Sequence, residues 1–316
     1  MKSLLRYPGG KTRALKEITK YFPKDLTEIV SPFFGGGSIE IHYASQGVRV
    51  HGYEIFEPLT NFWQHVLTQP EAVATLLETS FHPCTPKMFS DFLKKQAWID
   101  YDAMQRACMF YALNRSSFSG CTLSAGYSNQ AAEKRFTQSS IDRLKNFVCH
   151  SLSVEQADFE DSLRRHDDET FIYADPPYLL ENSTLYGERG STHKDFDHLR
   201  FAKEIKKKNN WAISYNRHPE ILELYKDYQI EYPVWSYGMK NIYTAEEKAV
   251  RRDLKKSIAL MEGIQNSEAL KDKEIITPIL DLLNAASQAT VKKMGKSNEI
   301  LILNVKENED ALLIDD

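Results

Sequence analysis

The chain of 316 residues has little cysteine: Cys84, Cys108, Cys121 and Cys149 are too few and too scattered for a disulfide scaffold, and none forms a Cys-x-x-Cys pair. A reducing, cytoplasmic setting is the simplest reading. It has no long apolar run, and its mean hydropathy of −0.47 excludes a helical membrane span. Residues 1–11, MKSLLRYPGGK, lack the apolar stretch and small-residue cleavage site of a secretory signal. There is no internal repeat and no low-complexity segment. No large net charge is present either: 40 basic residues against 44 acidic ones leave −4. Residues 306–316, with five acids and one base, account for all of it, while residues 114–145 carry five bases and two acids. Local patches decide nucleic-acid binding, so the total charge neither proves nor excludes it. What is present, 42% hydrophobic and 27% charged residues, is ordinary for a protein with a proper core, as one large domain or two unequal ones.

Apolar spacing predicts a helix over 11–22, a strand over 26–33 running into a Gly-Gly-Gly-Ser turn, and a helix from Ser38. A strand over 48–54 follows, then a helix with Pro58 in its first turn. This alternation points to a doubly wound α/β sheet. Residues 70–147 change character: helical patterns over 86–99 and 101–113 precede the polar, Ser-rich stretch NRSSFSGCTLSAGYSNQ, which reads as an inserted recognition region. Alternation resumes with strands at 148–154, 171–174, 211–215 and near 230–236, and helices at 195–208 and 219–228. Residues 241–296 read as helical and highly charged, and 299–305 as an apolar closing strand.

The strongest chemical signal is Asp175-Pro176-Pro177-Tyr178, directly after the apolar run 171–174. Ligands of open α/β sheets bind beyond the carboxyl ends of the strands. Two prolines remove two N–H donors and stiffen the backbone. Asp175 and the Pro176 carbonyl then suit the two hydrogens of one exocyclic amine, and Tyr178 offers a ring to stack on a planar base. The second signal is Phe33-Phe34-Gly35-Gly36-Gly37-Ser38, a glycine-rich turn that lets backbone pass close to a ligand at the start of a helix. Glu54, twenty residues after Phe34, ends the next strand where an acid can hydrogen-bond ribose hydroxyls. Together they indicate an adenosine-containing cofactor. Gly9-Gly10-Lys11-Thr12 is not a phosphate-binding loop, because Leu5 stands where the pattern needs glycine.

RYPGGK (6–11), FFGGGS (33–38), Glu54, LNRSSFSG (113–120), ADF (157–159) and DPPY (175–178) occur in that order. In this the chain resembles the Dam-like (D12, alpha-group) adenine-N6-specific DNA methyltransferases over about 1–237 and again at 297–305. The resemblance implies a Rossmann-like, S-adenosylmethionine-dependent methyltransferase sheet with an inserted, mainly helical target-recognition domain. Residues 1–69 and 148–316 would form the cofactor-binding catalytic domain and 70–147 the recognition domain. Asp175, Pro176, Pro177 and Tyr178 would be catalytic. Tyr7 and Lys11 match the segment that closes over S-adenosylmethionine, Phe34, Gly35, Gly37 and Ser38 its methionine-side loop, and Glu54 its ribose acid. Asp158 and Phe159 match its adenine contacts, and Asp175 serves its amine as well as the substrate. Asn114, Arg115, Ser116, Ser117, Phe118 and Ser119 match the DNA-facing segment. Phe118 or Tyr127 is the candidate wedge into the base stack, although Phe118 equally suits a core position.

Residues 185–198, with His193 and His198, resemble a mobile loop of part of the family. No cysteine or fixed ligand set accompanies the two histidines, so no metal is expected. The departure from the family is 241–296, where many relatives have a short connection. Lys248, Arg251, Arg252, Lys255 and Lys256 suit DNA and residues 275–283 suit burial against a second copy of the chain, but a solvated helical pair with one apolar face is the favoured reading of both. The implied activity is sequence-specific methyl transfer to a flipped-out adenine in double-stranded DNA, with a cognate restriction endonuclease as candidate partner. An RNA or protein-amide methyltransferase and a non-catalytic DNA-binding relative remain alternatives.

Overall fold

A computed structural model describes residues 1–179, 196–233, 252–253, 256–258 and 299–305. The strands are β1 (Glu28–Ser31), β2 (Arg49–Glu54), β3 (Leu152–Gln156), β4 (Ile172–Ala174), β5 (Trp211–Asn216), β6 (Gln229–Glu231) and β7 (Glu299–Asn304). They form one sheet in the order β3-β2-β1-β4-β5-β7-β6. β3, β2, β1, β4 and β5 are parallel, and β7 runs antiparallel between β5 and β6. β4 and β5 read as apolar runs because both their faces are buried beneath helices. The chain lays β2 and β3 on one side of β1, and β4 and β5 on the other. The crevice beyond the carboxyl ends of β1 and β4 is therefore the topological switch point at which open α/β sheets bind ligands.

The helices around the sheet are α1 (Leu15–Ile18), α2 (Ser38–Ala44), α3 (Glu57–Thr68), then α4 to α9 in the region 70–147, then α10 (Phe159–Arg164), α11 (His198–Ile205) and α12 (Pro219–Leu224). In that middle region α4 is Pro70–Leu76, α5 Pro86–Phe92, α6 Lys95–Asp100, α7 Ala103–Ser116, α8 Asn129–Arg135 and α9 Gln138–Lys145. The helix expected over 86–99 is two, α5 and α6. Lys94 turns extended between them, and the Trp98 indole N–H donates to the freed Phe92 carbonyl at 3.0 Å. α7 starts later than its apolar pattern because Asp102 and Gln105 form a reciprocal cap there. It ends at Ser116, inside the stretch expected to be irregular. α8 and α9 went unread because their starts are built from Ser128, Thr137 and Ser140, residues that in sequence look like loop.

Contacts divide the chain into 1–233 with 299–316, and 234–298. Helices α4 to α9 belong to the first unit together with the sheet, and α7 packs on α3. In the second unit Arg252, Asp253, Lys256, Ser257 and Ile258 are described, in helical conformation. Residues 185–195 of the expected loop 185–198, the cations Lys248, Arg251 and Lys255, and the apolar 275–283 lie outside the described residues. Among the described residues no helix is long and apolar enough to cross a membrane.

Candidate active site

A cavity of about 370 Å³ opens at the switch point, walled by residues 7–11, the loop 32–40 and residues 173–178. Asp175, Pro176 and Pro177 leave the end of β4 and line it, with Tyr178 beside them. The segment is held from behind: the Asn216 amide at the end of β5 donates to the Leu179 carbonyl at 2.8 Å and accepts from its N–H at 3.1 Å.

Lys11 enters from the turn after Tyr7, which closes with Gly10 N–H donating to the Tyr7 carbonyl at 3.0 Å. Its ammonium is buried and donates to both Asp175 oxygens, at 2.7 and 2.6 Å, and to the Gly9 carbonyl at 3.0 Å. Burial raises the Asp175 carboxyl above its ordinary range, and the Lys11 charge and hydrogen bonds oppose that shift. Burial, then the Glu54 and Asp175 carboxylates, raise the Tyr7 phenol, which lines the same wall.

The glycine-rich loop is shaped by close approach. A Cβ on Gly36 would lie 2.7 Å from Tyr7 Cβ, and one on Gly37, at φ +63°, would lie 2.5 Å from the Phe34 ring. Phe34 is itself buried, edge-on to Trp63, so its ring supports the loop while its neighbour Phe33 packs against Phe159 and Phe196. Glu54 ends β2 as expected; its two oxygens accept N–H groups of Gly35 (3.1 Å) and Phe56 (3.0 Å), and burial raises its carboxyl. Ser38 begins α2, its hydroxyl 3.0 Å from that of Thr12.

Asp158 caps α10, accepting from Glu160 N–H at 2.9 Å, and forms a two-pronged ion pair with Arg200 at 2.8 and 2.7 Å. The Arg200 guanidinium also lies 4.4 Å from the Phe159 ring centre. Sequence reasoning missed Arg200 and two buried acids, Glu40 and Glu299. Glu40 accepts from the Ser31 hydroxyl at 2.8 Å, and burial pushes its carboxyl up to about 7. Its one signal was an acid between Ile39 and Ile41 on the inward face of α2.

The segment named for DNA divides in two. Asn114 is 1% exposed: its amide donates to the carbonyls of Arg6 (2.9 Å) and Gly120 (3.0 Å) and to the Thr122 hydroxyl (3.1 Å), and its oxygen accepts from Arg6 N–H at 3.1 Å. Buried Arg115 donates twice to the Arg135 carbonyl, at 2.9 and 2.6 Å. Ser116 and Ser117 are fully buried. The side chains of Asn114, Arg115 and Ser117 hold the loop together, and none of the four faces solvent. Phe118, by contrast, is 56% exposed, at a turn where Ser119 takes φ +56°. Tyr127 is half-buried against Phe89, its hydroxyl donating to the Cys84 carbonyl at 3.3 Å. Burial, and then the charges of Arg143, Arg6 and Arg135 nearby, lower the affinity of Arg115 for a proton.

Elsewhere Glu28, His51 and His166 bring three ligand-type atoms within 4.8 Å of one another. His51 Nε2 lies 2.8 Å from Glu28, Tyr53 holds His166 at 2.8 Å, and Arg49 sits 3.6 Å from the same carboxylate. Lys208 and Arg165 add positive charge beside His166, a field that opposes a dication.

The model of the D12 class N6 adenine-specific DNA methyltransferases matches residues 7–239. Type II methyltransferase M1.LlaDCHI of Lactococcus lactis subsp. cremoris is 24% identical over 247 residues, covering 73% of this chain and 86% of that protein. A DNA adenine methylase of Vibrio cholerae is 26% identical over 212 residues, 61% of this chain and 73% of its own. Type II methyltransferase M.MjaIII of Methanocaldococcus jannaschii is 25% identical over 235 residues, 66% of this chain and 80% of its own. The match begins at Tyr7 and runs through every segment that walls the cavity, and the seven-stranded sheet is that of a methyltransferase. The chain belongs to the D12 class of N6 adenine-specific DNA methyltransferases.

Proposed function

We propose that the enzyme transfers a methyl group from S-adenosylmethionine to N6 of an adenine turned out of double-stranded DNA at a specific sequence. The observation that carries this reading is that Asp175 and the two prolines open onto the same cavity as the glycine-rich loop. The residues fit the donor: the cavity volume suits a small-molecule ligand, the loop's glycines leave no side chain in the way, and Glu54 keeps lone pairs free for hydroxyls. Tyr7, Lys11, the backbone of 34–38, Glu54, Asp158 and Phe159 would hold it. Bound there, S-adenosylmethionine supplies an electrophilic methyl on a sulfonium.

The chain's own part is positioning. Asp175 accepts one N–H of the target amine and the Pro176 carbonyl the other, which draws the nitrogen lone pair out of conjugation with the ring. Pro176 and Pro177 have no N–H to compete and little freedom to move. Tyr178 lies flat against the base. The amine becomes acidic only as its new bond forms, so Asp175 need not be a strong base, and its raised carboxyl is suited to take the proton then.

Residues 70–147 act as the recognition region and 1–69 with 148–316 as the catalytic one. Phe118 is the wedge, with Tyr127 behind it, and the exposed Arg135 and Arg143 with Arg6 supply phosphate contacts. Asn114, Arg115 and Ser117 serve DNA through the loop they hold, with Ser116 buried among them. A homodimer and a cognate restriction endonuclease complete the proposal, the latter supported by the type II names of two relatives. The test is label transfer from tritiated S-adenosylmethionine to duplex DNA, RNA and protein, followed by nucleoside analysis. N6-methyladenine from DNA is expected; label in RNA, protein or cytosine would overturn the reading.

A further inference from the structure

The closing strand brings a second acid to the Lys11 ammonium. Because β7 is antiparallel, its first residue, Glu299, lies at the carboxyl end of β5, paired with Asn216, the residue that clamps Leu179 after the catalytic tetrapeptide. Glu299 is buried at 6% exposure, and its Oε2 lies 3.7 Å from Lys11 Nζ, an ion-pair distance longer than a hydrogen bond. An ammonium has three N–H groups. Here Asp175 Oδ1, Asp175 Oδ2 and the Gly9 carbonyl all lie within hydrogen-bonding distance of it, so Glu299 is left one short step outside its bonds. A movement of about 1 Å at the end of the flexible lysine stem makes the Glu299 bond. The Tyr178 phenol stands near both acids: burial, then the Glu299 and Asp175 charges, raise it.

We propose that Glu299 is a positioning residue for the transfer, an alternative carboxylate that takes the Lys11 ammonium when Asp175 turns to the target amine; this rests on the functional reading above. While both Asp175 oxygens face Lys11, the cation drains the acceptor strength that the amine's N–H needs. Handing the cation to Glu299 restores it without leaving a buried charge unpaired. Only ionised Glu299 can do so. The groups that face it are Lys11, Asp175, Tyr178 and Tyr173, with Glu40 next to the same pair. Burial, with Asp175 nearby, pushes Glu299 up to about 7, and Lys11 opposes the shift. The transfer step therefore gains rate as pH rises through neutrality.

The test compares wild type, Glu299→Gln and Glu299→Asp in single-turnover transfer against pH, with binding of S-adenosylhomocysteine measured by calorimetry. In the free proteins, carbon-13 carboxyl and nitrogen-15 lysine NMR titrations are run beside them. Glu299→Gln is expected to lose about tenfold or more in the transfer rate and to lose the acid limb, with product affinity nearly unchanged. Glu299→Asp should keep the limb at a reduced rate, and it carries the test if the glutamine variant does not fold. In wild type, the carboxyl signal absent from Glu299→Gln should titrate near neutrality and the Lys11 nitrogen should follow it. An unchanged rate and pH profile in Glu299→Gln, a missing limb in Glu299→Asp, or a Lys11 signal indifferent to that titration would overturn the proposal. Absence of any transfer by wild type would fell the functional reading instead, and the NMR arm would still decide the Glu299–Lys11 relation.

Discussion

The end of the sheet at 175–178 and the loop at 114–120 both carry family motifs, but the motif residues do opposite things. At the sheet end, Asp175, Pro177 and Tyr178 stand partly open on a cavity, because a strand that stops abruptly leaves its last residues beyond the layer of helices. In the loop, Asn114, Arg115, Ser116 and Ser117 are buried in the last turn of α7 and the residue after it; Asn114 and Arg115 bond backbone carbonyls of other segments, and Ser117 accepts the Thr122 N–H. Polar residues in a motif can mark either the surface offered to a ligand or the hydrogen bonds that shape that surface. A buried carbonyl left without a donor is costly, so the second role is as demanding as the first.

Removing one residue of each kind sharpens the contrast. Asp175→Ala should lower transfer by about three orders of magnitude while the protein stays folded, measured as single-turnover rate beside a melting curve. A rate within a few fold of wild type would break the assignment of 175–178. The buried acid of the same cavity, Glu40, should show itself in stability. Its carboxyl, raised to about 7, keeps a proton in the folded state that the unfolded chain releases at its ordinary lower value. The resulting stability is complete below the unfolded value and is lost as pH rises through 7. Glu40→Gln should therefore flatten the fall in urea stability between pH 5 and pH 8, by roughly 3 kcal/mol.

In the loop the order reverses. Asn114→Ala should cost roughly 2–3 kcal/mol in urea unfolding, because it strands the carbonyls of Arg6 and Gly120. Phe118→Ala should leave the melting temperature in place and slow transfer on duplex DNA by ~10-fold, with a smaller loss on a substrate whose target adenine is mismatched. Smallest of all, Arg135→Ala should reduce the slope of log affinity against log salt by about 1, read from DNA titrations at several salt concentrations. If Asn114→Ala weakened DNA binding at full stability, the division between shaping and facing residues would fail.

These two regions also show why some of the molecule was legible in sequence. Asp175 and Glu54 were placed because an apolar run fixes where a strand ends and the next residues must lie beyond it. Arg200 reaches the cavity from a helix more than a hundred residues from the glycine loop, and Glu299 reaches Lys11 behind it from an antiparallel closing strand; no local pattern encodes that meeting. In the region 70–147, Ser128 and Thr137 begin helices, and a capping serine has the same one-letter signature as a serine in a loop. Phe118, Asn114 and Arg115 sit five positions or fewer apart, so chain position could not sort the exposed ring from the buried amide; only the fold of 118–128 back along α7 does.

The measurement that tests the central claim most directly is incubation of the purified protein and S-adenosylmethionine with unmethylated genomic DNA, followed by sequencing that maps methylated bases. The account predicts N6-methyladenine at one recurring sequence, absent when Asp175→Ala replaces the wild type. Methyl groups on another base, or the same adenines modified by the Asp175→Ala protein, would contradict it.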